Sequence, residues 1–452
     1  MATHITSSNS AWNLFDNHLI PEVILQKIID ESGFHTRSPR KVHARDVLSA
    51  LCDLAIRFSP SFNDIATHIE ANTDHMPSRQ AIANRFNLAL EKIVQASLTH
   101  VIEHRLSQQE CTYSSSPHTA LQSFKRVIVQ DSTIIKLPAA LFTEYSGVSN
   151  ATTAVCNARI QATYDLKSGC LISFSLDPYS KNDLLAASET EIREGDFVLR
   201  DRGYLTVDEI QRHIDNKADC IYRHKTKTTY LDEKTSKPID LLALLKKHKK
   251  LDMIVLCNNK TRTKIRLLAA PIDDALANKR RRKAKKDACG HNPSAEVLAL
   301  MNWTIFLTTL PAEQADFQTI LALYGIRWRI EVIFKAWKGG LKFDMLHNVS
   351  SLQLRILVKA RLLMIVAGIN FVYRWYAQEV WRRCVKRLSL LKLIKYISMH
   401  ENLTKLLKVM NQSKERHNHK EIDTACKVLS KYCCYDKRKK RMNFNEIWDS
   451  LA

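Results

Sequence analysis

The spacing of apolar residues changes twice along the chain, and each change limits the folds available to it. Residues 1 to about 120 carry apolar residues at helical intervals, as in IPEVILQKIIDE and ARDVLSALCDLAIRF. From about 120, the β-branched runs KRVIVQD and DFVLRD predict strands, and ARIQATYDL and GCLISFSLD predict a hairpin. Helical spacing returns at about Pro311. The sequence therefore predicts a helical region, a mixed α/β region, a mostly β stretch and a second helical region.

The charge of the chain indicates what it binds. Sixty-eight Lys and Arg against 46 Asp and Glu give a net charge of +22, which attracts polyanions, most commonly nucleic acid. The longest apolar run, Leu362 to Tyr373, is about half the roughly 20 residues that a spanning helix needs. The N-terminal sequence lacks the pattern of a secretory signal. We therefore expect a cytoplasmic protein that binds nucleic acid and no membrane, with its 11 scattered cysteines reduced.

The segment DIATHIEANTDHMPSRQAIANRF is typical of a helix-turn-helix. Ser78 is positioned to cap a second helix, which would expose three side chains to DNA: Arg79, Gln80 and Arg85. A plain helical hairpin explains the same pattern equally well.

The run KRRRKAKK, Lys279 to Lys286, interrupts the β stretch without an apolar anchor. Like charges at this density repel one another, so the run predicts a mobile loop. We favour phosphate contact over simple solvation for its cations, in particular Lys279, Arg280, Arg281, Arg282 and Lys283.

The segment LYGIRWRIEVIFKAWKGG predicts one helix that ends at Gly339-Gly340. At roughly 100° per residue, one face of this helix carries a carboxylate flanked by an aromatic hydroxyl and two cations: Tyr324, Arg327, Glu331 and Lys338. The alternative is a surface helix with a routine ion pair between Glu331 and Lys335.

Two aspartates favour a site over a plain surface helix. Asp131 ends the strand KRVIVQD and Asp201 ends the strand DFVLRD, so their carboxylates can meet at one sheet edge. A glutamate from a helix across the sheet would complete an all-oxygen site, which suits Mg²⁺ or Mn²⁺. Two such ions are what phosphodiester cleavage by in-line displacement uses.

These segments resemble a known family. Tyr324-x2-Arg327-x3-Glu331-x6-Lys338 matches the Y-R-E-K signature of bacterial insertion-sequence transposases of the insertion-sequence-four family, within the DDE superfamily. QDSTIIKLP around Asp131 and LRDRGYL around Asp201 agree in order and context. The resemblance covers about residues 50 to 375.

The resemblance implies a ribonuclease-H-like α/β catalytic core over 121–375, interrupted by a mostly β insertion at about 217–310. It leaves a helical DNA-binding region at 1–120 and a helical C-terminal region at 376–452 for dimerisation or DNA contact. The long gap of 130 positions from Asp201 to Glu331 (331 − 201), against 70 from Asp131 to Asp201 (201 − 131), fits this insertion.

The resemblance also implies cut-and-paste DNA transposition through a hairpin intermediate, by a dimer that holds two element ends and then target DNA. Asp131, Asp201 and Glu331 would bind two metal ions, while Arg327 and Lys338 would hold phosphates. Tyr324 would donate its hydroxyl to a phosphate oxygen. An aromatic ring would hold a flipped base, and the candidates are Trp328 and Trp303, with core packing as the alternative.

Two other functions remain open from the sequence alone. A nuclease or resolvase would use the same site only for hydrolysis of DNA. A DNA-binding regulator derived from a transposase would keep the basic surface and the helix-turn-helix but lose a metal ligand. All three acidic positions are intact, which argues against the regulator.

Overall fold

The computed structural model describes residues 20–35, 42–55, 59–107, 119–147, 155–226, 228–288, 292–347, 349–399, 402–416, 419–436 and 442–451. Within these residues the fold is mixed α/β, with one nine-stranded sheet and helices before, within and after it.

In the described residues, six helices precede the first strand, as the helical spacing predicted: α1 Glu22–Ser32, α2 Ala44–Ala55, α3 Phe62–Asn72, α4 Arg79–Arg85, α5 Leu88–Ser107 and α6 Thr119–Gln122. Ser61 caps α3 through a capping box with Asp64, and Ser78 caps α4 by accepting a hydrogen bond from Ala81 N. Ile65, Ile69 and Ile82 are buried, so α3 and α4 pack across the turn between them.

The first part of the sheet consists of β1 Arg126–Lys136, β2 Asn157–Asp165, β3 Cys170–Pro178, β4 Asp196–Arg200 and β5 Asp219–Arg223. The first three strands are antiparallel neighbours, and β2 with β3 is the predicted hairpin. Strand β4 pairs parallel with β1 on one side and with β5 on the other. Helices α7 Asp183–Glu189 and α8 Val207–Asp215 connect these strands.

The same sheet continues antiparallel beyond β5 through β9, β8, β7 and β6. These strands are β6 Tyr230–Asp232, β7 Leu251–Cys257, β8 Lys264–Pro271 and β9 Trp303–Thr308. The described part of the stretch predicted as mostly β also holds three helices: α9 Leu241–His248, α10 Asp274–Asp287 and α11 Ala295–Leu300.

The rest of the described chain is helical: α12 Phe317–Ile326, α13 Trp328–Leu341, α14 Ser351–Met364, a π-helical turn Ile365–Ile369, α15 Asn370–Cys384, α16 Leu390–Ile397, α17 Asn402–Arg416, α18 His419–Tyr432 and α19 Phe444–Asp449. One continuous hydrophobic core joins these helices to the N-terminal helices and to one face of β1, β2 and β4.

One helical stretch in the described residues, Ser351–Cys384, is long and apolar enough to cross a membrane. Its most apolar 18-residue window is 83% buried within the protein, which is what a central core helix requires. The stretch therefore serves as the helix around which the C-terminal helices pack.

Candidate active site

Strands β1 and β4 bring two aspartates to the same edge of the sheet. They pair in parallel with Gln130 opposite Arg200, so the next residues along, Asp131 and Asp201, are neighbours at the point where β4 ends. Neighbouring strands lie about 4.8 Å apart, which sets the spacing of the two backbones. Both side chains belong to the sheet face that packs on the C-terminal helices, because Val129 and Leu199, two residues before them, lie in that core.

The prediction that Asp131 ends its strand is wrong, because β1 continues to Lys136. The hairpin explains the extra length: β2 pairs with β1 from Ile128 through Lys136, whereas β4 stops pairing at Gln130. Asp131 therefore lies at the point where β1 outruns β4 and one side of the strand becomes open.

The third acidic residue comes from the helical segment across this face, which is two helices and not the single helix predicted. Helix α12 ends at Ile326 and α13 begins at Trp328, with Arg327 between them. The backbone tightens there, since Arg327 N bonds to Tyr324 O at 3.2 Å and Ile330 N bonds to Arg327 O at 3.3 Å. Helix α13 also continues past the predicted Gly339-Gly340 end to Leu341, with Lys342 in the left-handed region at φ 49°.

The guanidinium of Arg327 bridges two of the three carboxylates. Its Nη2 donates to Glu331 Oε1 at 2.7 Å, and its Nη1 lies 3.5 Å from Asp131 Oδ2. Glu331 therefore pairs with Arg327, whereas Lys335 lies over the Trp328 ring at 4.9 Å. The exposed fractions of the Arg327, Asp131 and Glu331 side chains are 13%, 19% and 34%, so the cluster is sheltered and Glu331 is its most accessible member.

The pKa of Asp131 is raised to about 6, mainly by burial and also by the charges of Glu331 and Asp201, which together outweigh the lowering by the Ser132 N–H and Arg327. The electrostatic influence of Asp201 and Glu331 on Asp131 identifies the three carboxylates as one interacting group. One guanidinium does not neutralise three such charges. The cluster has an excess of negative charge that a further cation would relieve.

The donor set fits a hard divalent cation, because it consists of carboxylate oxygens in a sheltered position. In the described part of the chain, however, no three acidic, histidine or cysteine side chains are arranged around one point as metal ligands. The Arg327 guanidinium lies against the oxygens of Asp131 and Glu331. A metal ion held between these two carboxylates would have to displace it.

The other residues predicted on the helix face have different surroundings. Burial raises the pKa of Tyr324 to about 12, and its hydroxyl is a buried neighbour of Arg327 and Asp201. Lys338 Nζ donates to Ile134 O at 2.6 Å, which ties α13 to the open part of β1. Trp303 begins β9, and its indole donates to Lys249 O at 3.0 Å.

The sequence reasoning missed Arg223, which the sheet brings to the same edge. Strand β5 runs parallel to β4 with Ile221 opposite Leu199, so Arg223 is the neighbour of Asp201. Its charge acts on Tyr324 and on Arg280, and within the described residues it forms no ion pair. The available signal was the segment IYRHK, in which two apolar residues precede Arg223. Only the parallel register of β5 with β4 places Arg223 beside the aspartates.

Comparison with known families identifies the chain. The family described as "Transposase DDE domain" matches residues 122–367, more than half of the 452 residues. The chain belongs to the DDE transposase family. It is therefore an enzyme that cleaves DNA and transfers DNA strands, of the insertion-sequence type, as the sequence motifs predicted.

Individual relatives carry the same description. The chain is 23% identical to the transposase for insertion sequence element IS231E of Bacillus thuringiensis subsp. finitimus, over 85% of this chain and 84% of the relative. It is 24% identical to the transposase for IS231F of Bacillus thuringiensis subsp. israelensis, over 94% and 96%. The cryo-EM structure of a piggyBac transposase synaptic complex with hairpin DNA matches with a TM-score of 0.41, at 10% identity, over 96% of this chain and 87% of that one.

The basic run of this transposase is helical, so the predicted mobile loop is wrong. Asp273 caps α10 by accepting a hydrogen bond from Leu276 N, and the buried Ala277 anchors the helix. Arg280 donates to Trp303 O and Thr304 Oγ1, each at 3.0 Å, and Arg281 donates to Leu298 O at 3.2 Å. These two arginines attach the helix to β9 and α11, while the remaining cations are exposed: Lys279, Arg282, Lys283, Lys285 and Lys286.

In the N-terminal helix pair, Arg79 and Gln80 are exposed at the start of α4, as predicted. The expected exposure of Arg85 is wrong. Its guanidinium donates to Phe34 O at 2.6 Å and lies 5.0 Å from the centre of the Phe34 ring. Arg85 thus ties α4 to the segment after α1.

Proposed function

We propose that this transposase cuts an insertion sequence from DNA and pastes it into target DNA, using two Mg²⁺ or Mn²⁺ ions at Asp131, Asp201 and Glu331. The observation that carries the proposal is the contact of the Arg327 guanidinium with Asp131 and Glu331, together with the parallel register that makes Asp201 the neighbour of Asp131. The raised pKa of Asp131, about 6, supports a cation site, because it reflects burial together with two neighbouring negative charges.

The bound ions would supply Lewis-acid activation of the attacking oxygen and stabilisation of the leaving 3′ oxygen. The residues of the chain hold and orient the DNA strand. Once turned away from Asp131, Arg327 can form two parallel hydrogen bonds to a phosphate from a position already beside the carboxylates. Arg223 presents a second cation next to Asp201 and is free of carboxylate partners among the described residues.

We infer that strands β1 to β5 form a ribonuclease-H-like core and that the insertion, expected at about 217 to 310, begins only after β5. An antiparallel β3-β2-β1 hairpin pair followed by parallel β4 and β5 supports this reading. Residues 1–120 would bind element-end DNA through α3 and α4, and residues 376–452 would serve dimerisation or DNA contact. The enzyme would act as a homodimer in the bacterial cytoplasm, at the nucleoid, with a hairpin intermediate at each element end.

The test is Glu331→Gln in the full-length protein. The amide keeps the shape but is a much poorer metal ligand, so cleavage of element-end DNA should fall by at least ~10³-fold. DNA binding should stay within about threefold, since phosphate contacts dominate the affinity. Gel-based cleavage and mobility-shift measurements in Mn²⁺ would give both values.

Lys335→Gln is the matched control, because Lys335 is one turn away and lies over Trp328 instead of the carboxylates. It should cleave normally. Equal losses of binding and cleavage in Glu331→Gln would mark Glu331 as structural. Cleavage by the wild type without joining of the 3′ ends to a target plasmid would support the nuclease alternative.

A further inference from the structure

Arg327 interrupts the helical segment that carries the candidate site, and the junction that it forms between α12 and α13 is here called the hinge. Arg327 lies at the junction and Glu331 follows one turn later, so the angle between the two helices sets where both side chains lie relative to the sheet. On both sides of Arg327 the backbone forms hydrogen bonds between residues three positions apart, as in a 3₁₀-helix. Such a locally tightened backbone is a common feature of functional hinges.

The C-terminal helix α19 covers this hinge on both sides of Arg327. Ile447 lies against Gly325 in α12, where its Cδ1 would be 3.7 Å from a Cβ added at that glycine. On the α13 side, the Phe444 ring lies 4.8 Å from the guanidinium carbon of Arg329. One short helix therefore contacts the residue two before Arg327 and the residue two after it.

Arg329 is buried in this arrangement, with 1% of its surface exposed. Its guanidinium carbon also lies 5.4 Å from the centre of the Tyr373 ring of α15. Phe444 and Trp448 are 6% and 3% exposed, so the contact is a buried part of the core. Backbone Ala120 N donates to Leu451 O at 3.3 Å, which fixes the end of the C-terminal segment just before β1.

We propose that α19 is a brace that fixes the angle at Arg327, with Phe444 and Ile447 as positioning residues for the carboxylate cluster. The idea rests on the proposed function. Glu331 lies about 6 Å along the axis from Arg327, so a rotation of about 10° at the hinge displaces it by about 1 Å. A displacement of this size is enough to degrade a metal site or a catalytic geometry.

The test compares Phe444→Ala, Ile447→Ala and Phe444→Leu with the wild type in the full-length protein. The Mn²⁺ dissociation constant is measured by electron paramagnetic resonance of free Mn²⁺, well below each variant's unfolding temperature. Both alanine variants should weaken Mn²⁺ binding about 5- to 10-fold, while Phe444→Leu, which keeps apolar volume at the hinge, should recover most of the affinity. Element-end DNA binding should not change.

Leu429→Ala is the matched control, because Leu429 in α18 is 0% exposed and lies in the C-terminal region away from the hinge. It should lower the unfolding temperature without changing Mn²⁺ affinity. Wild-type affinity in both Phe444→Ala and Ile447→Ala would overturn the brace. If Asp131→Asn instead binds Mn²⁺ as tightly as the wild type, the proposed metal site is wrong and the brace is wrong with it.

Discussion

At the scale of single residues, Arg327 is central to the site. Its guanidinium contacts Asp131 and Glu331, positions where a divalent cation would also be stabilised. The carboxylates and one guanidinium leave a net negative charge in this sheltered pocket. The pKa of Asp131 is raised as a result, because Asp131 is the more buried of the two carboxylates in contact with Arg327. The metal-free cluster is therefore a local source of instability.

This makes a pH-dependent prediction for Asp131→Asn without metal. The folded pKa of about 6 lies above the ordinary value of 3.8, so between these values the folded protein binds more protons than the unfolded chain. Wild-type stability therefore falls as the pH rises from about 4 to about 6. At pH 8 in EDTA the variant should be more stable, by up to ~3 kcal/mol, and at pH 4 the difference should shrink to about 0.5 kcal/mol.

Thermal or urea unfolding at both pH values measures this difference. A variant less stable than the wild type at pH 8 would mean that the Arg327 contact outweighs burial. Ser132→Ala is the control for a substitution next to Asp131. It retains the backbone N–H of residue 132, which donates to Asp131 Oδ1 at 2.9 Å.

Which residues belong to the cluster was predictable, but their arrangement was not. The spacing of apolar residues and the sequence motifs pointed to Asp131, Asp201 and Glu331, because each lies in or beside a segment whose apolar pattern clearly predicts a strand or a helix. The partner of Glu331 was not predictable, since both Arg327 and Lys335 lie four positions away on the single helix that the sequence predicts. Arg223 was missed because strand register is a tertiary property.

At the scale of elements, Gly340 has a packing role and does not end a helix. A Cβ at Gly340 would overlap Ile394 Cγ2 of α16, whereas a Cβ at Gly339 would meet nothing within 4 Å. The glycine therefore lets α16 approach α13 closely. The sequence predicted a helix end because Gly-Gly is typical of one, and close approach of a distant helix leaves no local signal.

The adjacent glycines give a matched pair of variants. Gly340→Ala should destabilise the protein by about 1–3 kcal/mol, since Ile394 is β-branched and has little freedom to move. Gly339→Ala should leave stability unchanged or raise it by up to ~1 kcal/mol, because alanine favours helix over glycine. Urea unfolding of both variants checks this. Equal effects would mean that α16 does not pack on Gly340.

At the scale of the whole molecule, the order of regions was predictable because it follows from changes in apolar period. The continuity of one sheet from β3 to β6 was not, since the antiparallel pairing of β5 with β9 joins segments about 85 residues apart in sequence. The helical state of α10 was also missed. Repulsion between like charges predicts a loop when the run is considered alone. The helix forms because Arg280 and Arg281 are anchored to β9 and α11, which lie later in the chain.

Helix α10 also carries a prediction about how the whole molecule engages DNA. Arg280 lies close enough to Arg223 for the two charges to interact, and burial together with Arg223 lowers the pKa of Arg280 to about 10. A line of positive charge thus runs from the sheet edge beside Asp201, through Arg223 and Arg280, to the exposed face of α10. A phosphate backbone that leaves the site along this line would meet that face.

Replacing the five exposed cations of α10 with glutamine should therefore weaken binding broadly across DNA sequences, because phosphates carry no base identity. Each lost contact should flatten the plot of log affinity against log salt by about 0.9, or by up to about 4.5 for all five. Glutamine is used because the segment is helical, and Arg280 and Arg281 are kept because they anchor it.

Measuring the slope on element-end DNA and on target DNA would show which of the two duplexes these cations contact. Far-UV circular dichroism would verify that α10 stays helical. An unchanged slope on both would mean that these cations are only solvated and that DNA leaves the site in another direction.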